Sequence, residues 1–399
     1  MGDDDMVTVQ PAHYRPGLFD LVVVGGGPVG ASLARAVHGM RVALVSHERR
    51  HSAPAAPGVF DARVYALSPG NVEFLRRLKA WPSLPADRVA PVHAMRIFGD
   101  DGASRLEFDA YRAGVPELAW IVEDSALQDA LWAGLDVEIF APAQCEDLRV
   151  HEKTVSLNLR DGQTLSARLV VGADGANSFV RRAAGIDVAE SDYGQTAVVA
   201  NFRCEKPHAN TAFQWFQGGA VLAFLPLPGD QLSMVWSLPR AEAVRIERME
   251  AQPLCHEVEA ASRHALGSLE LTSSQKTYPL RRLSARKLIG PRVALAGDAG
   301  HVIHPLAGQG LNLGLQDARA LADMLVARAP VRDPGDLRLL RRYARSRAEP
   351  ILAMGSVVDG LHTLFNAGNP LAARLRNAGL NLTERTPVLK NILMRQAMR

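Results

Sequence analysis

The 399-residue sequence has few cysteines and no long apolar run, and each of these absences excludes a class of protein. The three cysteines (Cys145, Cys204 and Cys255) are far apart and form no CxxC pair, which argues against a disulfide framework or a zinc site. No uninterrupted apolar stretch reaches the ~20 residues that a membrane-spanning helix needs. The N-terminus is acidic and no apolar segment follows it, so we expect no signal peptide. We therefore expect a cytoplasmic protein, either soluble or peripheral to the inner membrane.

The sequence does contain ample material for a large globular fold. Hydrophobic residues make up 47% of the chain, which is enough for a sizeable core, and the net charge is only +3. A chain of 399 residues exceeds the usual size of one domain, so we expect two intertwined domains or one large α/β unit. No nucleic-acid partner is expected.

The region around residue 25 has the strand–loop–helix pattern of a dinucleotide site. Residues 21–24 (LVVV) predict a buried parallel strand, and a helix of small residues follows up to Val37. Between them, Gly25, Gly27 and Gly30 satisfy G-x-G-x-x-G. The three glycines permit a tight turn, a close approach of a pyrophosphate, and close packing of the helix on the strand. A glycine-rich turn without a nucleotide is the alternative.

The second strand of this unit, residues 41–45, ends in a departure from the usual pattern. An acidic residue normally grips the ribose hydroxyls at this place, but here the residue is Ser46. Either Glu48 reaches back to the ribose, or Ser46 donates a single weaker hydrogen bond. In both cases we expect looser binding of the adenosine.

A second strand–loop–helix unit lies between residues 293 and 325. Residues 293–296 predict a buried strand that places Asp298 at its carboxyl end, where open α/β sheets bind ligands. Gly308 and Gly310 remove side chains where the backbone approaches a flat group, and a helix begins near Gln309 or Gly310. The free N–H groups and positive dipole end of this helix suit the N1–C2=O edge of a flavin, which becomes anionic on reduction. An ordinary strand, loop and helix is the alternative.

A third unit, residues 169–181, has another strand that ends in an acid–glycine pair, followed by a helix with Ser178 in its first turn. If its strand and the strand before Asp298 belong to one parallel sheet, Asp174 faces the same crevice. Arg181 and Arg182 either guide a phosphate-bearing reductant or form a solvated helix face.

From residue 196 onward the pattern changes to short strands separated by glycine-rich turns. In residues 231–238, apolar and more polar side chains alternate, which predicts a half-buried antiparallel sheet. One face of such a sheet is free to cover a ligand, although any core sheet shows the same alternation.

Taken together, the three blocks at residues 25–30, 172–181 and 297–312 resemble the single-component, class A flavin monooxygenases in order and spacing. Within that class, the chain resembles the ubiquinone-biosynthesis hydroxylase group over roughly residues 20–397. The finer motifs that carry this resemblance are residues 63–68 (RVYALS), 122–124 (VED) with Gln128, Gly218 with 223–227 (AFLPL), 235–237 (VWS), 301–312 (HVIHPLAGQGLN), and Arg342 and Tyr343 with Arg347. Two positions depart from the group, namely Ser46 for an acidic residue and Gly300 for alanine.

The resemblance implies an α/β fold, with a Rossmann-like FAD-binding domain, an inserted antiparallel-sheet substrate domain and C-terminal helices. The implied FAD-binding domain comprises residues 18–85, 115–188 and 284–330, the substrate-covering sheet residues 86–114 and 189–283, and the helical region residues 331–399. The cofactor-binding residues that it implies are Gly25, Gly27 and Gly30 at the pyrophosphate, Ser46 at the ribose, Arg63 and Gln128 at the phosphate and ribityl region, Asp174 in a motif shared by FAD and NAD(P)H, Asp298 at the ribityl chain, and Pro305, Gly308, Gly310, Leu311 and Asn312 along the isoalloxazine.

The resemblance also implies the reaction. NADH or NADPH, as a transient co-substrate, reduces FAD, the reduced flavin takes up O₂ as a flavin hydroperoxide, and its terminal oxygen attacks the ring of a polyprenylated phenol. The absence of a second dinucleotide fingerprint suits a reductant that binds transiently. We name no catalytic base. His301 and His304 lie near the flavin by sequence, but buried histidines in packed loops usually form structural hydrogen bonds.

Two rival functions stay open, a hydroxylase of a soluble aromatic compound and a non-catalytic flavoprotein subunit of a biosynthetic complex. A flavin halogenase is disfavoured, because no two of the five tryptophans are two residues apart. Residues 331–399 carry twelve basic and five acidic residues, and residues 387–399 mix apolar with basic side chains. We therefore expect contact with an anionic membrane or a biosynthetic partner, although a basic helix packed on its own domain would have the same composition.

Overall fold

The computed structural model describes residues 17–49, 58–101, 104–304 and 308–366. The strands are β1 (Phe19–Val24), β2 (Val42–Val45), β3 (Val64–Leu67), β4 (Val89–Val92), β5 (Ala94–Phe98), β6 (Arg105–Asp109), β7 (Ala119–Glu123), β8 (Glu138–Phe140), β9 (Cys145–Val150), β10 (Val155–Leu159), β11 (Thr164–Gly172), β12 (Val188–Cys204), β13 (Thr211–Gln217), β14 (Ala220–Pro226), β15 (Gln231–Pro239), β16 (Leu269–Leu271), β17 (Lys276–Ala285), β18 (Ile289–Gly290), β19 (Val293–Leu295) and β20 (His301–Val302). The helices are α1 (Pro28–Ala36), α2 (Pro69–Arg77), α3 (Ala110–Ala113), α4 (Asp124–Trp132), α5 (Phe179–Ala183), α6 (Arg240–Glu247), α7 (Ala251–Ala261), α8 (Gln309–Val326) and α9 (Leu337–Asn366).

An eight-stranded sheet forms the first half of the molecule. Its centre is parallel, in the order β19-β11-β1-β2-β8, and the hairpin β9-β10 extends it beside β11. The central strands are apolar along their whole length because both faces of a parallel sheet are covered. Helices α1, α4, α8 and α9 pack on one face, and α5 and the β9-β10 hairpin cover the other. The parallel order brings the carboxyl ends of β1, β11 and β19 to one edge, so the loops that follow these strands open on the same crevice.

A nine-stranded, mostly antiparallel sheet forms the second half, in the order β20-β17-β12-β15-β14-β13-β5-β6 with β16 beside β12. Helices α6 and α7 pack on one of its faces over a core that contains Trp215, Trp236 and Phe202. The strands of a small third sheet, β3-β7-β4, alternate along the chain with strands of the two large sheets. Because β20 directly follows the turn after β19, the crevice of the first sheet and the second sheet share one segment of chain.

The α/β class expected from the sequence is confirmed, but one strand of the second sheet differs from expectation. Strand β15 is buried on both faces rather than half-buried, because its second face lines an internal cavity instead of solvent. The proposed domain boundaries stay a prediction. In the part of the chain that the structure describes, no helix is both long enough and apolar enough to cross a membrane.

Candidate active site

One large cavity, of about 2310 Å³, runs between the carboxyl edge of the eight-stranded sheet and the inner face of the nine-stranded sheet. Binding pockets for small molecules commonly measure about 300–1,000 Å³, so this cavity has room for a large cofactor together with a second ligand. Its lining includes the predicted site residues Gly25, Gly27, Ser46, Arg63, Gln128, Asp174, Asp298, Gly308, Gly310 and Leu311. The fold therefore brings together residues that lie up to 286 positions apart in the sequence.

The glycine loop after β1 has no room for side chains on the protein side and open space on the cavity side. A Cβ added at Gly25 would lie 2.1 Å from the Ala173 carbonyl oxygen, and one at Gly30 would lie 1.9 Å from that of Gly25. A Cβ added at Gly27, by contrast, would meet no atom of the described residues within 4 Å apart from its chain neighbours. Gly25 and Gly30 are therefore required by packing, since α1 approaches β1 and β11 closely. Gly27 leaves bare backbone at the cavity wall, as a bound phosphate group requires.

The loop after β2 holds Ser46 in a fixed position against the glycine loop. The Ser46 hydroxyl donates a hydrogen bond of 2.8 Å to the backbone carbonyl of Glu48. A Cβ at Gly26 would collide with the Ser46 side chain, and Trp132 donates from Nε1 to the Gly26 carbonyl. Because the hydroxyl proton is already used within the loop, Ser46 offers the cavity an acceptor rather than a donor. The exposed Glu48 also lines the cavity.

A polar cluster from β3 and α4 forms one wall of the cavity. Asp124 accepts hydrogen bonds from Gln128 Nε2 at 2.6 Å and from the Tyr65 hydroxyl at 3.0 Å, so the Gln128 side chain is held in place. The Arg63 guanidinium faces the cavity and forms no hydrogen bond with another described residue. Burial opposes its charge, but the neighbouring Tyr65, Asp124 and Asp298 outweigh burial and raise the pKa of Arg63. A permanent positive charge therefore faces the cavity.

The turn after β19 places Asp298 at the cavity wall, and charged side chains are buried behind this turn. The Asp298 carboxyl is open to the cavity but surrounded by protein on its other sides, and this desolvation raises its pKa against the opposing effects of His301 and Arg63. Beneath it, the carboxylate of the fully buried Asp317 accepts a hydrogen bond from the Gly297 N–H at 2.9 Å. The same carboxylate binds His301 Nε2 at 2.6 Å and Arg347 Nε at 2.6 Å.

The buried carboxylate of Asp317 is ionised in spite of its surroundings. Desolvation opposes its charge, but His301 and Arg347 outweigh desolvation and lower the pKa of Asp317 below its ordinary value. The Asp317 side chain on α8 thus connects the turn of Asp298, strand β20 and helix α9. Asp317 could not be predicted from the sequence, because nothing in an amphipathic helix distinguishes a buried acid from an exposed one until its partners are known.

The two histidines of the 301–312 motif do not line the cavity. His301 is buried against Asp317, and His304 is buried with Nε2 3.0 Å from Gln195 Oε1. Both positions serve packing and hydrogen bonding, and neither ring touches the space where a ligand would react.

The start of α8 supplies backbone groups to the cavity. Gly308 precedes the helix with φ of +61°, a conformation that favours glycine. Apart from its own helix and chain neighbours, a Cβ at Gly310 would meet no atom of the described residues within 4 Å. Asn312 is fully buried behind this wall, where it binds the Ser68 N–H, Asn71 and the Ala66 carbonyl oxygen. Asn312 therefore joins α8 to the region after β3 rather than lining the cavity. Pro305 lies outside the described residues.

The acid–glycine pair after β11 has a structural use of its own. The Asp174 carboxylate lines the cavity but accepts hydrogen bonds from the Ser178 hydroxyl and from the N–H groups of Phe179 and Val180, which caps α5. Arg181 is buried and donates to the carbonyls of Ala299 and Ala176, so it is not available to a reductant. Of the two arginines, only Arg182 lines the cavity.

The inner face of the nine-stranded sheet forms the apolar end of the cavity, which we call the sheet floor. Its cavity-lining residues on β12 to β15 are Ala197, Val199, Ala212, Phe213, Gln214, Phe216, Val221, Ala223, Leu225, Val235 and Ser237. Helix α9 adds Ala353 and Met354 at one side. The period-two alternation of the strands predicts which residues share a face, but only the fold shows which face meets the cavity.

Comparison with known proteins agrees with this architecture. Residues 19–354 match the FAD binding domain family. The chain is 34% identical to the 3-demethoxyubiquinol 3-hydroxylase of Escherichia coli K12, over 95% of this chain and 98% of that protein. It is 34% identical to the ubiquinone hydroxylase UbiL of Rhodospirillum rubrum, over 100% of this chain and 93% of that protein.

Among solved structures, the fold matches PqsL of Pseudomonas aeruginosa in complex with 2-aminobenzoylacetate. The two chains superpose with a TM-score of 0.75 and 26% identity, over 91% of this chain and 99% of PqsL. Bare backbone at Gly27 and Gly310, in one cavity with the charged Arg63 and Asp298, suits a dinucleotide with phosphates at the glycine loop. The cofactor is FAD, with NAD(P)H as the co-substrate typical of the family, and the chain belongs to the FAD-dependent monooxygenase family that includes the ubiquinone-biosynthesis hydroxylases.

Proposed function

We propose that this enzyme hydroxylates the ring of a polyprenylated phenol in ubiquinone biosynthesis, with FAD, NAD(P)H and O₂. The observation that carries the proposal is the large cavity, which is polar and lined by bare backbone near the glycine loop and mostly apolar along β12 to β15. An apolar wall of this kind suits a greasy phenol. An aromatic acid would need a cation, and the cavity-lining Arg281 of β17 is already paired with Glu190. The names of the two 34% identical relatives support the same substrate class.

For the cofactor, we propose roles for the residues along the polar end. Gly25 and Gly27 would bind the pyrophosphate, Gly30 would allow the helix to approach it, and Ser46 or Glu48 would contact the ribose. In the middle of the cavity, the proposed contacts are Arg63 and Gln128 at the phosphate and ribityl region, Asp298 at the ribityl chain and Asp174 near the reductant. At the far end they are Pro305, Gly308, Gly310 and Leu311 along the isoalloxazine, with Asn312 supporting them. The eight-stranded sheet would thus hold FAD, and the nine-stranded sheet would cover the substrate.

When bound, FAD supplies the redox chemistry that activates O₂. The residues of this chain would contribute position and environment. The N–H groups at the start of α8 would stabilise negative charge on the ring, since a helix N-terminus carries a partial positive charge. The apolar sheet floor would exclude water, which otherwise diverts activated oxygen to hydrogen peroxide.

Deleting the gene and identifying the quinone precursor that accumulates tests the proposed pathway. With the purified protein, a prenylated phenol is expected to stimulate NAD(P)H oxidation with little release of hydrogen peroxide. Stimulation by soluble aromatic acids alone, with normal quinone content in the deletion strain, would favour the soluble-aromatic alternative. No stimulation by either class would favour a non-catalytic role in a biosynthetic complex.

We further propose that the enzyme works at the surface of the inner membrane. Residues 331–399 have a net charge of +7, and the rest of the chain −4. Basic residues near an anionic bilayer contribute roughly 1 kcal/mol each, and a polyprenylated phenol resides in that bilayer. Flotation with anionic liposomes at low and high salt tests the proposal. Binding at low salt that falls on removal of residues 387–399, which lie outside the described residues, is expected, and a protein that never floats contradicts it.

A further inference from the structure

The sheet floor contains one row of side chains that differs from the rest. In the register of the sheet, Ala197 of β12 lies opposite Ser237 of β15 on one side and opposite Tyr278 of β17 on the other. All three residues line the cavity. Across three adjacent strands, the row therefore presents the hydroxyl of Ser237, the methyl group of Ala197 and the phenol of Tyr278.

The neighbours along each strand confirm that these side chains point into the cavity. Trp236 and Val198 belong to the core on the opposite face of the sheet, which turns Ser237 and Ala197 inward. The hydroxyl of Thr277 donates to Glu247 of α6, which also lies on that opposite face, so Tyr278 is turned inward as well.

The spacing of the row leaves a slot above Ala197. Neighbouring strands lie about 4.8 Å apart, so the backbones at Ser237 and Tyr278 are roughly 10 Å apart with only a methyl group between them. Val199, Val221 and Val235 surround the slot with apolar surface. A flat ring fits over the methyl group, between a small polar residue and an aromatic one.

Ser237 is placed to form a hydrogen bond with a hydroxyl group on that ring. Its side chain is 4% exposed, and its hydroxyl forms no hydrogen bond with another described residue. A hydroxyl in an apolar cavity gains from a partner that enters with the ligand, because an unpaired buried polar group is costly. Tyr278, in contrast, lies within electrostatic range of Arg63, toward the end of the cavity with the proposed cofactor contacts.

We propose that Ser237, Ala197 and Tyr278 form the slot for the phenol ring of the substrate. The Ala197 methyl lies under the ring, the Ser237 oxygen accepts a hydrogen bond from the phenol hydroxyl, and the Tyr278 ring closes the opposite edge. This inference rests on the proposed function and deepens it. Ser237 becomes a specificity-determining residue for phenols, and Ala197 a residue that sets the space for the ring.

Two probes that differ in one hydrogen-bond donor test the slot, 2-geranylphenol and its methyl ether, 2-geranylanisole. Binding of each to the FAD-loaded protein is followed by flavin fluorescence and by calorimetry. We expect the wild-type protein to prefer the phenol by roughly threefold to tenfold, the effect of one hydrogen bond. In Ser237→Ala this preference falls to near one, while the affinity for the ether and the FAD content stay unchanged.

The matched control is Ser233→Ala. Ser233 lies on the same strand and the same face as Ser237, but it is fully buried and does not line the cavity. We expect this variant to keep the preference of the wild-type protein for the phenol. Ala197→Leu fills the slot and should weaken both probes by about tenfold or more. Tyr278→Phe, which keeps the ring, should bind both probes normally, and Tyr278→Ala should weaken both.

The outcomes separate the inference from the proposed function. Suppose that the wild-type protein binds the phenol. If Ser237→Ala then keeps the preference for the phenol over the ether, or if Ser233→Ala loses this preference equally, the proposed slot is wrong while the proposed function is unaffected. Tight binding of both probes by Ala197→Leu also overturns the slot. If wild-type protein binds neither probe, both proposals are overturned.

Discussion

The two ends of the cavity are constructed by opposite means. Near the glycine loop and Asp298, backbone groups and charged side chains line the wall, and a buried network behind them fixes their positions. On the sheet floor, small and branched apolar side chains line the wall, and few polar groups interrupt them. Hydrogen bonds and close backbone contacts tolerate almost no displacement, whereas an apolar surface tolerates changes of shape. Substitutions at the first end should therefore reduce stability or FAD affinity, while those at the second end should alter substrate choice.

The largest effect is expected from the network behind Asp298. Asp317→Asn leaves the Arg347 charge buried without its partner, which typically costs about 3–5 kcal/mol in the free energy of unfolding. Urea unfolding of the two proteins at pH 7 measures this loss. Asp323→Asn on the same helix is the matched control, because Asp323 is exposed and should change stability by less than about 0.5 kcal/mol.

The pH dependence of this effect has a definite sign. The pKa of Asp317 is lower in the folded protein than its ordinary value of 3.8, so its contribution to stability is present above that value. It is lost as the pH falls through the lowered pKa. The stability difference between wild type and Asp317→Asn should therefore be constant from pH 7 to about pH 5 and shrink in stronger acid. A difference that is already gone at pH 5 would mean that the carboxyl is not held ionised.

The next effect concerns the charge that faces the cavity. Asp298→Ala removes a charged acceptor for FAD and should weaken FAD binding by about 1.5–3 kcal/mol. The purified variant should be pale, and titration of the apoprotein with FAD measures the loss. Asp298→Asn keeps the size of the side chain, so its affinity for FAD should lie between those of the wild-type protein and Asp298→Ala. A yellow, fully loaded Asp298→Ala protein would contradict the role proposed for this residue.

Two glycines of the same loop separate packing from cofactor contact. Gly30→Ala forces a Cβ against the Gly25 carbonyl and should lower the free energy of unfolding by roughly 1–3 kcal/mol. The Cβ of Gly27→Ala meets no atom of the residues that the structure describes beyond its chain neighbours, so this variant should keep stability and weaken FAD binding. Thermal unfolding of the apoproteins and FAD titration give the two readouts. Equal behaviour of the two variants in both assays would show that the distinction is wrong.

The smallest effect is expected at the ribose position. Ser46→Glu should tighten FAD binding or leave it unchanged, and Glu48→Ala should weaken it only if Glu48 replaces the usual acidic residue. Each change is expected to stay within about 1.5 kcal/mol, the value of one hydrogen bond. FAD titration of both apoproteins decides between the alternatives. Equal affinity in wild type and both variants would mean that other groups hold the ribose.

Local patterns in the sequence predicted three of the segments that build the cavity. The glycine loop, the strand before Asp298 and the start of α8 were each predicted within about two residues, because periodicity and glycine placement depend on near neighbours. The expectation that Asp174 and Asp298 share a crevice also agrees with the structure, since β11 and β19 are parallel neighbours. The family and the FAD chemistry were likewise recognisable from the motifs, and the comparisons confirm both.

The sequence by itself determined the three strand–loop–helix units that contain Gly27, Asp174 and Asp298, the glycine positions and the family, because each of these depends on a short stretch of chain. Only the tertiary structure decided that Asn312 supports the wall from behind by binding residues more than 240 positions away. It likewise decided that Asp317 unites β20 with α9, and that Ser237, Ala197 and Tyr278 lie side by side. The physical reason is that a helix or strand pattern shows which residues share a face. What that face meets depends on contacts between distant segments, and those form only when the sheets pack together.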